Sequence, residues 1–130
     1  MADQRYEDGM KVRREVLGDR HVGRAEERKS DLDREFQAFI TETAWGSVWA
    51  RPGIARRERS MITIALLAAL GHKEELAMHI RATRNTGATR EDVKAALMHV
   101  AIYAGVPAAN AAFDVARKVY EEDETQEAAR

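Results

Sequence analysis

Ser60-Met-Ile-Thr-Ile-Ala-Leu-Leu-Ala-Ala-Leu-Gly71 is the stretch on which the reading of the fold turns. Between Met61 and Leu70 only Thr63 interrupts the apolar residues, and Gly71 supplies a stop. A helix needs about 20 such residues to span a bilayer. A run of half that length predicts instead a buried helix, over 55–70, in a globular protein.

Working toward the C-terminus, a helix over 73–85 ends at Gly87. Thr89-Arg-Glu-Asp92 then opens a fifth helix with a pattern like a capping box, Asp replacing the usual Glu or Gln. Gly105 closes it, and Pro107 suits the first turn of a last helix over 107–120. Toward the N-terminus, Trp45-Gly46-Ser-Val-Trp49 and Arg51-Pro52-Gly53 predict an irregular, partly buried elbow. Before it, Ser30 or Asp31 caps a helix with Leu32, Phe36, Phe39 and Ile40 at helical spacing. A charged connector covers 19–29. A first amphipathic helix over 6–17 carries Met10, Val12, Val16 and Leu17 and stops at Gly18. The expectation is an all-α fold of about six helices in one domain, 1–130. A charged helix and connector would occupy 1–29, and a frayed, charged tail 121–130.

Size and composition narrow the function. At 130 residues the chain matches one ordinary domain. A net charge of −1 and a pI near 6.4 argue against nucleic acid as the main partner. The absence of cysteine removes disulfides, thiolate nucleophiles and thiolate metal sites. Met-Ala-Asp-Gln-Arg-Tyr-Glu-Asp at the start has no apolar core of a signal peptide, so a cytoplasmic protein away from membranes is expected. Nearly uncharged, Ala-rich surfaces along 62–70, 95–106 and 108–112 point to a homo-oligomer or to a tightly packed core.

Few residues are equipped for chemistry. Glu75 and His79 share a helix face at i, i+4, where a carboxylate orients an imidazole for acid–base work; the same spacing also describes an ordinary surface pair. His99 and Tyr103 repeat the spacing in an apolar segment and are either satisfied core groups or donors to a substrate oxygen. His21 and His72 lie in connectors. His72, Glu75 and His79 match no standard zinc spacing, so no metal is expected. Arg51, Arg56, Arg57 and Arg59 crowd beside Trp45 and Trp49 with one acid, Glu58. Guanidinium forks beside indoles suit a small carboxylate. A solvated basic face or an ion-pair network between subunits remains the alternative.

Five stretches together resemble the 4-carboxymuconolactone decarboxylase family. They are Trp45-Gly-Ser-Val-Trp-Ala-Arg-Pro-Gly-Ile54, Arg57-Glu-Arg-Ser-Met-Ile-Thr-Ile-Ala65, Glu75-Leu-Ala-Met-His79, Asn85-Thr-Gly87 with Thr89, and Tyr103-Ala-Gly-Val-Pro107. The resemblance covers nearly the whole chain in the family's order. It implies the AhpD-like all-α fold, chemistry without a cofactor, and a ring-like homo-oligomer with a hexamer favoured. Peroxidases of the wider superfamily carry a Cys-x-x-Cys pair, whose positions here are His72 and Glu75, so their disulfide chemistry is excluded.

The implied reaction converts 4-carboxymuconolactone to 3-oxoadipate enol-lactone in the protocatechuate branch of the β-ketoadipate pathway. Loss of CO2 from the ring carbon gamma to the lactone carbonyl leaves an electron pair that delocalises onto the carbonyl oxygen. Protonation at the alpha carbon completes the reaction. The resemblance suggests Arg51 for the retained carboxylate, with Arg57 or Arg59 in reserve. It suggests His79, oriented by Glu75, as the acid and Tyr103 as donor to the dienolate oxygen, with those two roles exchangeable. Trp45 or Trp49 would face the departing carboxylate, because a salt bridge there would hold the ground state. Two alternatives remain: the same fold acting on another small anionic lactone or keto acid, or a non-catalytic helical oligomer that serves as a binding module.

Overall fold

Every regular element among the described residues is helical, in keeping with the expected all-α class. The computed structural model describes residues 2–129, with side chains from residue 4 onward. The chain divides into two compact units, Met1–Arg56 and Arg57–Arg130.

In the first unit, α1 (Ala2–Leu17) and α2 (Asp19–Arg28) meet at Gly18, and α3 (Arg34–Ile40) runs directly into a π-helix, Thr41–Trp49. Helix α1 lies along the π-helix at a glycine-to-glycine approach. A Cβ on Gly9 would stand 2.1 Å from the Thr41 carbonyl oxygen and 2.8 Å from the Gly46 nitrogen. One on Gly46 would stand 2.4 Å from the Arg5 carbonyl oxygen. Only residues without a Cβ let the two backbones come this close. Polar bonds lock the contact: Arg5 donates to Ser47 Oγ at 2.7 Å. The buried Arg13 donates to Thr41 Oγ1 at 3.2 Å and Gln37 Oε1 at 3.3 Å. Desolvation lowers the Arg13 pKa from the ordinary arginine value, and Glu26 and Tyr6 offset part of that shift.

Two expectations fail here. The 19–29 stretch is a helix rather than a connector. Its Arg, Glu and Ala favour helix, and one apolar anchor, the fully buried Val22, suffices to dock it. The first half of the elbow is helical too, because the wide π turns carry the chain through 41–49 without a break, while Arg51-Pro52-Gly53 is irregular as expected. The cap of α3 also moves: Asp33 occupies the position, and its carboxylate accepts from the Ser30 N–H at 2.8 Å. That bond lowers the Asp33 pKa from the ordinary aspartate value.

In the second unit, α4 (Arg56–Leu70), α5 (Lys73–Arg81), the short α6 (Thr83–Thr86), α7 (Arg90–Tyr103) and α8 (Val106–Ala128) follow one another. The core takes Ile64 and Ala68 from α4, Leu76 and Ile80 from α5, Val93, Leu97 and Val100 from α7, and four residues from α8. Each large side chain so buried contributes about 1.5–3 kcal/mol of hydrophobic free energy. Ala109, Ala112 and Ala116 on α8 are small enough to let the helices pack closely. The capping box at α7 forms as the sequence predicts: Thr89 Oγ1 accepts from the Asp92 N–H at 3.1 Å, and Asp92 returns the bond at 2.9 Å.

The 121–130 tail is ordered further than expected, since α8 continues to Ala128. Arg81–Glu122, Arg84–Asp123 and Arg90–Glu124 pairs at 3.1–3.4 Å tie three successive α8 residues to the helices beside it. Opposite the core, α4 exposes Ile62, Leu66 and Leu70, and α7 exposes Met98 and Ile102. No helix among the described residues is long and apolar enough to cross a membrane.

Candidate functional site

His79 is the one buried histidine of the four. It lies in the last turn of α5 between the core positions Leu76 and Ile80, with 7% of its surface exposed. Its Nδ1 is shielded from solvent. Glu75 is one turn earlier on the same helix and exposed. The spacing places both on α5, one turn apart.

Tyr103 ends α7 and is 86% exposed. Its ring stacks on that of His99, with centroids 6.2 Å apart and planes within 16°. His99 is exposed as well, and its Nδ1 lies 3.2 Å from the Ala95 carbonyl oxygen. Neither side chain is a satisfied core group, which removes the bland reading of that pair.

The arginines separate by partner. Arg57 forms a bidentate fork with Asp92 at 2.8 and 2.6 Å and meets Glu58 at 2.7 Å. These bonds hold the Asp92 carboxyl down at about pKa 2 and raise the Arg57 pKa above that of a free guanidinium. The charge of Arg57 is thus already answered, and its fork braces the start of α4 against the cap of α7. Arg56 pairs with Glu15 at 2.9 Å within the first unit. Arg51 is exposed and Arg59 half-buried. In the first unit, Thr41, Trp45 and Trp49 recur every four residues and fill the buried side of the π-helix. The two indoles stack with centroids 5.1 Å apart and tilted by 32°. A π-helix is costly without a compensating use and often marks a functional segment.

Ser60 and Thr86 were passed over in the sequence. Their hydroxyls are buried and have no hydrogen-bond partner among the described residues. A buried hydroxyl left so is an acceptor or donor awaiting a polar ligand or water. The signal was present, since Ser60 is the polar residue at the head of an apolar run beside Arg59. Among the described residues no group of three or more His, Asp or Glu side chains comes together to hold a metal ion.

An all-helical fold with a buried imidazole and no cysteine is closed to the thiol chemistry of redox proteins. The chain belongs to the carboxymuconolactone decarboxylase family, whose pattern matches residues 34–118, and its fold is the AhpD-like all-α fold of that family. It is 48% identical to 4-carboxymuconolactone decarboxylase of Acinetobacter baylyi over 92% of this chain and 90% of that one. It is 38% identical to nitrosuccinic acid decarboxylase of Metarhizium robertsii over 87% of this chain and 79% of that one. A third relative, 4-carboxymuconolactone decarboxylase of Pseudomonas putida, is 56% identical over 33% of this chain and 90% of its own length.

Proposed function

We propose that this protein is a carboxy-lyase that decarboxylates 4-carboxymuconolactone to 3-oxoadipate enol-lactone. The observation that carries the reading is the near-full-length likeness to a relative of that activity, joined to a buried histidine in a chain without cysteine. The C–C bond to the departing carboxylate breaks, CO2 leaves, and the electron pair passes through the ring double bond to the lactone oxygen. The substrate is its own electron sink, so the protein need supply only charge, a hydrogen-bond donor and one proton.

His79 is the proposed acid that protonates the alpha carbon, and Glu75 the carboxylate that orients it. Tyr103 is the proposed donor to the dienolate oxygen. Arg51 is proposed to hold the retained carboxylate. Arg57 or Arg59 stands in reserve, Arg57 being engaged by two acids before substrate arrives. The Trp45–Trp49 pair is proposed to give the departing carboxylate an apolar surrounding, from which loss of charge as CO2 is favoured.

A homo-oligomer, with a hexamer favoured, fits this reading. The stripe of Ile62, Leu66 and Leu70 with Met98 and Ile102 is the kind of apolar face that a second copy buries. Covering it would also take the exposed Tyr103 out of water, where its hydrogen bond to an oxyanion is worth more. Light scattering on the purified protein reads the subunit number directly. A cytoplasmic location is proposed from the same metabolic role.

The decisive experiment follows CO2 release and enol-lactone formation from lactone generated in situ, with chelator present. We expect chelator-insensitive turnover, and a fall in kcat/KM of more than about tenfold in His79→Ala. A smaller loss removes His79 from the acid role, and no turnover by a folded oligomer removes the substrate assignment. The relative that acts on nitrosuccinic acid favours one second reading. A nitro group is also an electron sink beside a departing carboxylate, so nitrosuccinate belongs in the same assay as a competing substrate.

A further inference from the structure

A cavity of about 400 Å³ lies between α7 and α8, away from every residue given a catalytic or substrate-binding role above. Its volume falls within the range of small-molecule sites. Val93, Leu97, Phe113 and Ala116 form an apolar wall. Three cations, Arg90, Lys94 and Arg117, and two carboxylates, Glu121 and Glu124, line the rest.

The charges are unequally satisfied. Arg90 pairs with Glu124 at 3.4 Å and lies 4.4 Å over the Tyr120 ring. Arg117 pairs with Asp114. Lys94 forms no hydrogen bond or ion pair among the described residues, and Glu121 has no cation partner there. With Arg90 answered by Glu124 and Arg117 by Asp114, the charges left in the lining are one cation, Lys94, and one carboxylate, Glu121, so that a single anion is drawn to Lys94 alone. Tyr120 also lines the cavity, and its buried hydroxyl has no hydrogen-bond partner among the described residues. A ligand oxygen in the cavity is the acceptor that this hydroxyl lacks.

We propose that this cavity is a second ligand site, selective for a small aromatic monocarboxylate. The ring rests on the apolar wall, and the carboxylate faces Lys94 and the Tyr120 hydroxyl. Glu121 repels a second negative charge, so the site discriminates against dianions such as the lactone substrate. The inference rests on this cavity alone and stands or falls separately from the catalytic reading.

Benzoate is the probe, added to the intact oligomer at constant ionic strength while the methyl resonances of Val93, Leu97 and Ala116 are followed. We expect saturable shifts at those methyls. Affinity should fall about three- to fivefold for the neutral isostere benzyl alcohol, and by at least as much in Lys94→Glu, because an exposed charge contributes modestly. Tyr120→Phe should weaken benzoate without changing benzyl alcohol to the same degree, and phthalate should bind more weakly than benzoate. His79→Ala should leave benzoate binding intact. The proposal is overturned if no saturable shift occurs at these methyls in the millimolar range. It is equally overturned if benzyl alcohol matches benzoate, if Lys94→Glu binds as the parent does, or if benzoate binding disappears with His79→Ala.

Discussion

Gly9→Ala tests how the first unit is held together. In an ordinary helix interior, replacing Gly by Ala stabilises by about 0.5–1 kcal/mol. Gly9 is not ordinary. The new Cβ would lie 2.1 Å from one backbone atom and 2.8 Å from another, where distances under 3.0 Å are essentially never found. No rotamer relieves the clash, because both obstacles, the Thr41 carbonyl and the Gly46 nitrogen, are main chain. The π-helix must therefore retreat from α1 by close to 1 Å at the tightest contact, loosening the buried Val12, Val16, Trp45 and Trp49. Overpacking of this kind typically costs about 1–3 kcal/mol and occasionally more. Two backbone clashes place this case at the upper end, and the net loss after the propensity gain is about 2 kcal/mol.

Gly23→Ala is the control. Gly23 is also inside a helix, α2, but a Cβ there meets nothing within 4 Å. It should stabilise by about 0.5–1 kcal/mol, so the same substitution takes opposite signs at the two positions. Urea unfolding followed by tryptophan fluorescence is the assay, since both indoles lie in the affected segment. Equal or greater stability of Gly9→Ala relative to the parent would refute the close-approach argument. Destabilisation by Gly23→Ala to the same degree would show that the glycines act through something other than contact.

Two further outcomes follow from the second unit, which holds no tryptophan and whose unfolding by urea or heat is followed by far-ultraviolet circular dichroism. Leu97 is completely buried at the centre of its core, and Leu97→Ala should cost about 2–5 kcal/mol; a loss below about 1 kcal/mol would mean that the core collapses around the deletion. Asp92 has its pKa held at about 2 by Arg57 and by the Thr89 N–H, so its ionised form is favoured in the folded state. A depressed pKa gives stability that is complete above the unfolded value, near 4, and is lost as the pH falls toward about 2. Melting temperature should drop across that window, and Asp92→Asn should flatten the drop while lowering stability at neutral pH. An unchanged acid profile in Asp92→Asn would assign the titration to other carboxylates.

How much was legible in the sequence depended on whether the deciding partner was near in the chain. The helix over Arg56–Leu70, the stop at Gly71 and the Thr89–Asp92 box could be read because each is settled within a few residues. The 19–29 helix could not, since its hydrophobic signal is the single residue Val22 and its docking surface is another helix. The π-helix was hidden for a related reason: turn residues such as Gly46 normally signal a break, and here Gly46 is required by the backbone of α1. The α8 extension is not legible because a charged chain end ordinarily frays, and here Arg81, Arg84 and Arg90 answer its acids from outside the helix.

The candidate site divides along the same line. The residue types for proton transfer and anion binding were all visible, and so was the exclusion of thiol chemistry. That one of four neighbouring arginines would be held by an acid on another helix was not. Arg57 and Arg59 are two residues apart and look alike in sequence, yet Arg57 is bound by Asp92, 35 positions away. The clue that Asp92 would be a strong anchor was nevertheless on view: a carboxylate at the third position of a capping box is fixed and ionised by the helix it starts. An arginine within reach of such a group is drawn to it before any substrate arrives. Following each predicted cap to the cation it will attract therefore picks out a structurally held arginine, as Arg57 is, where crowding alone does not.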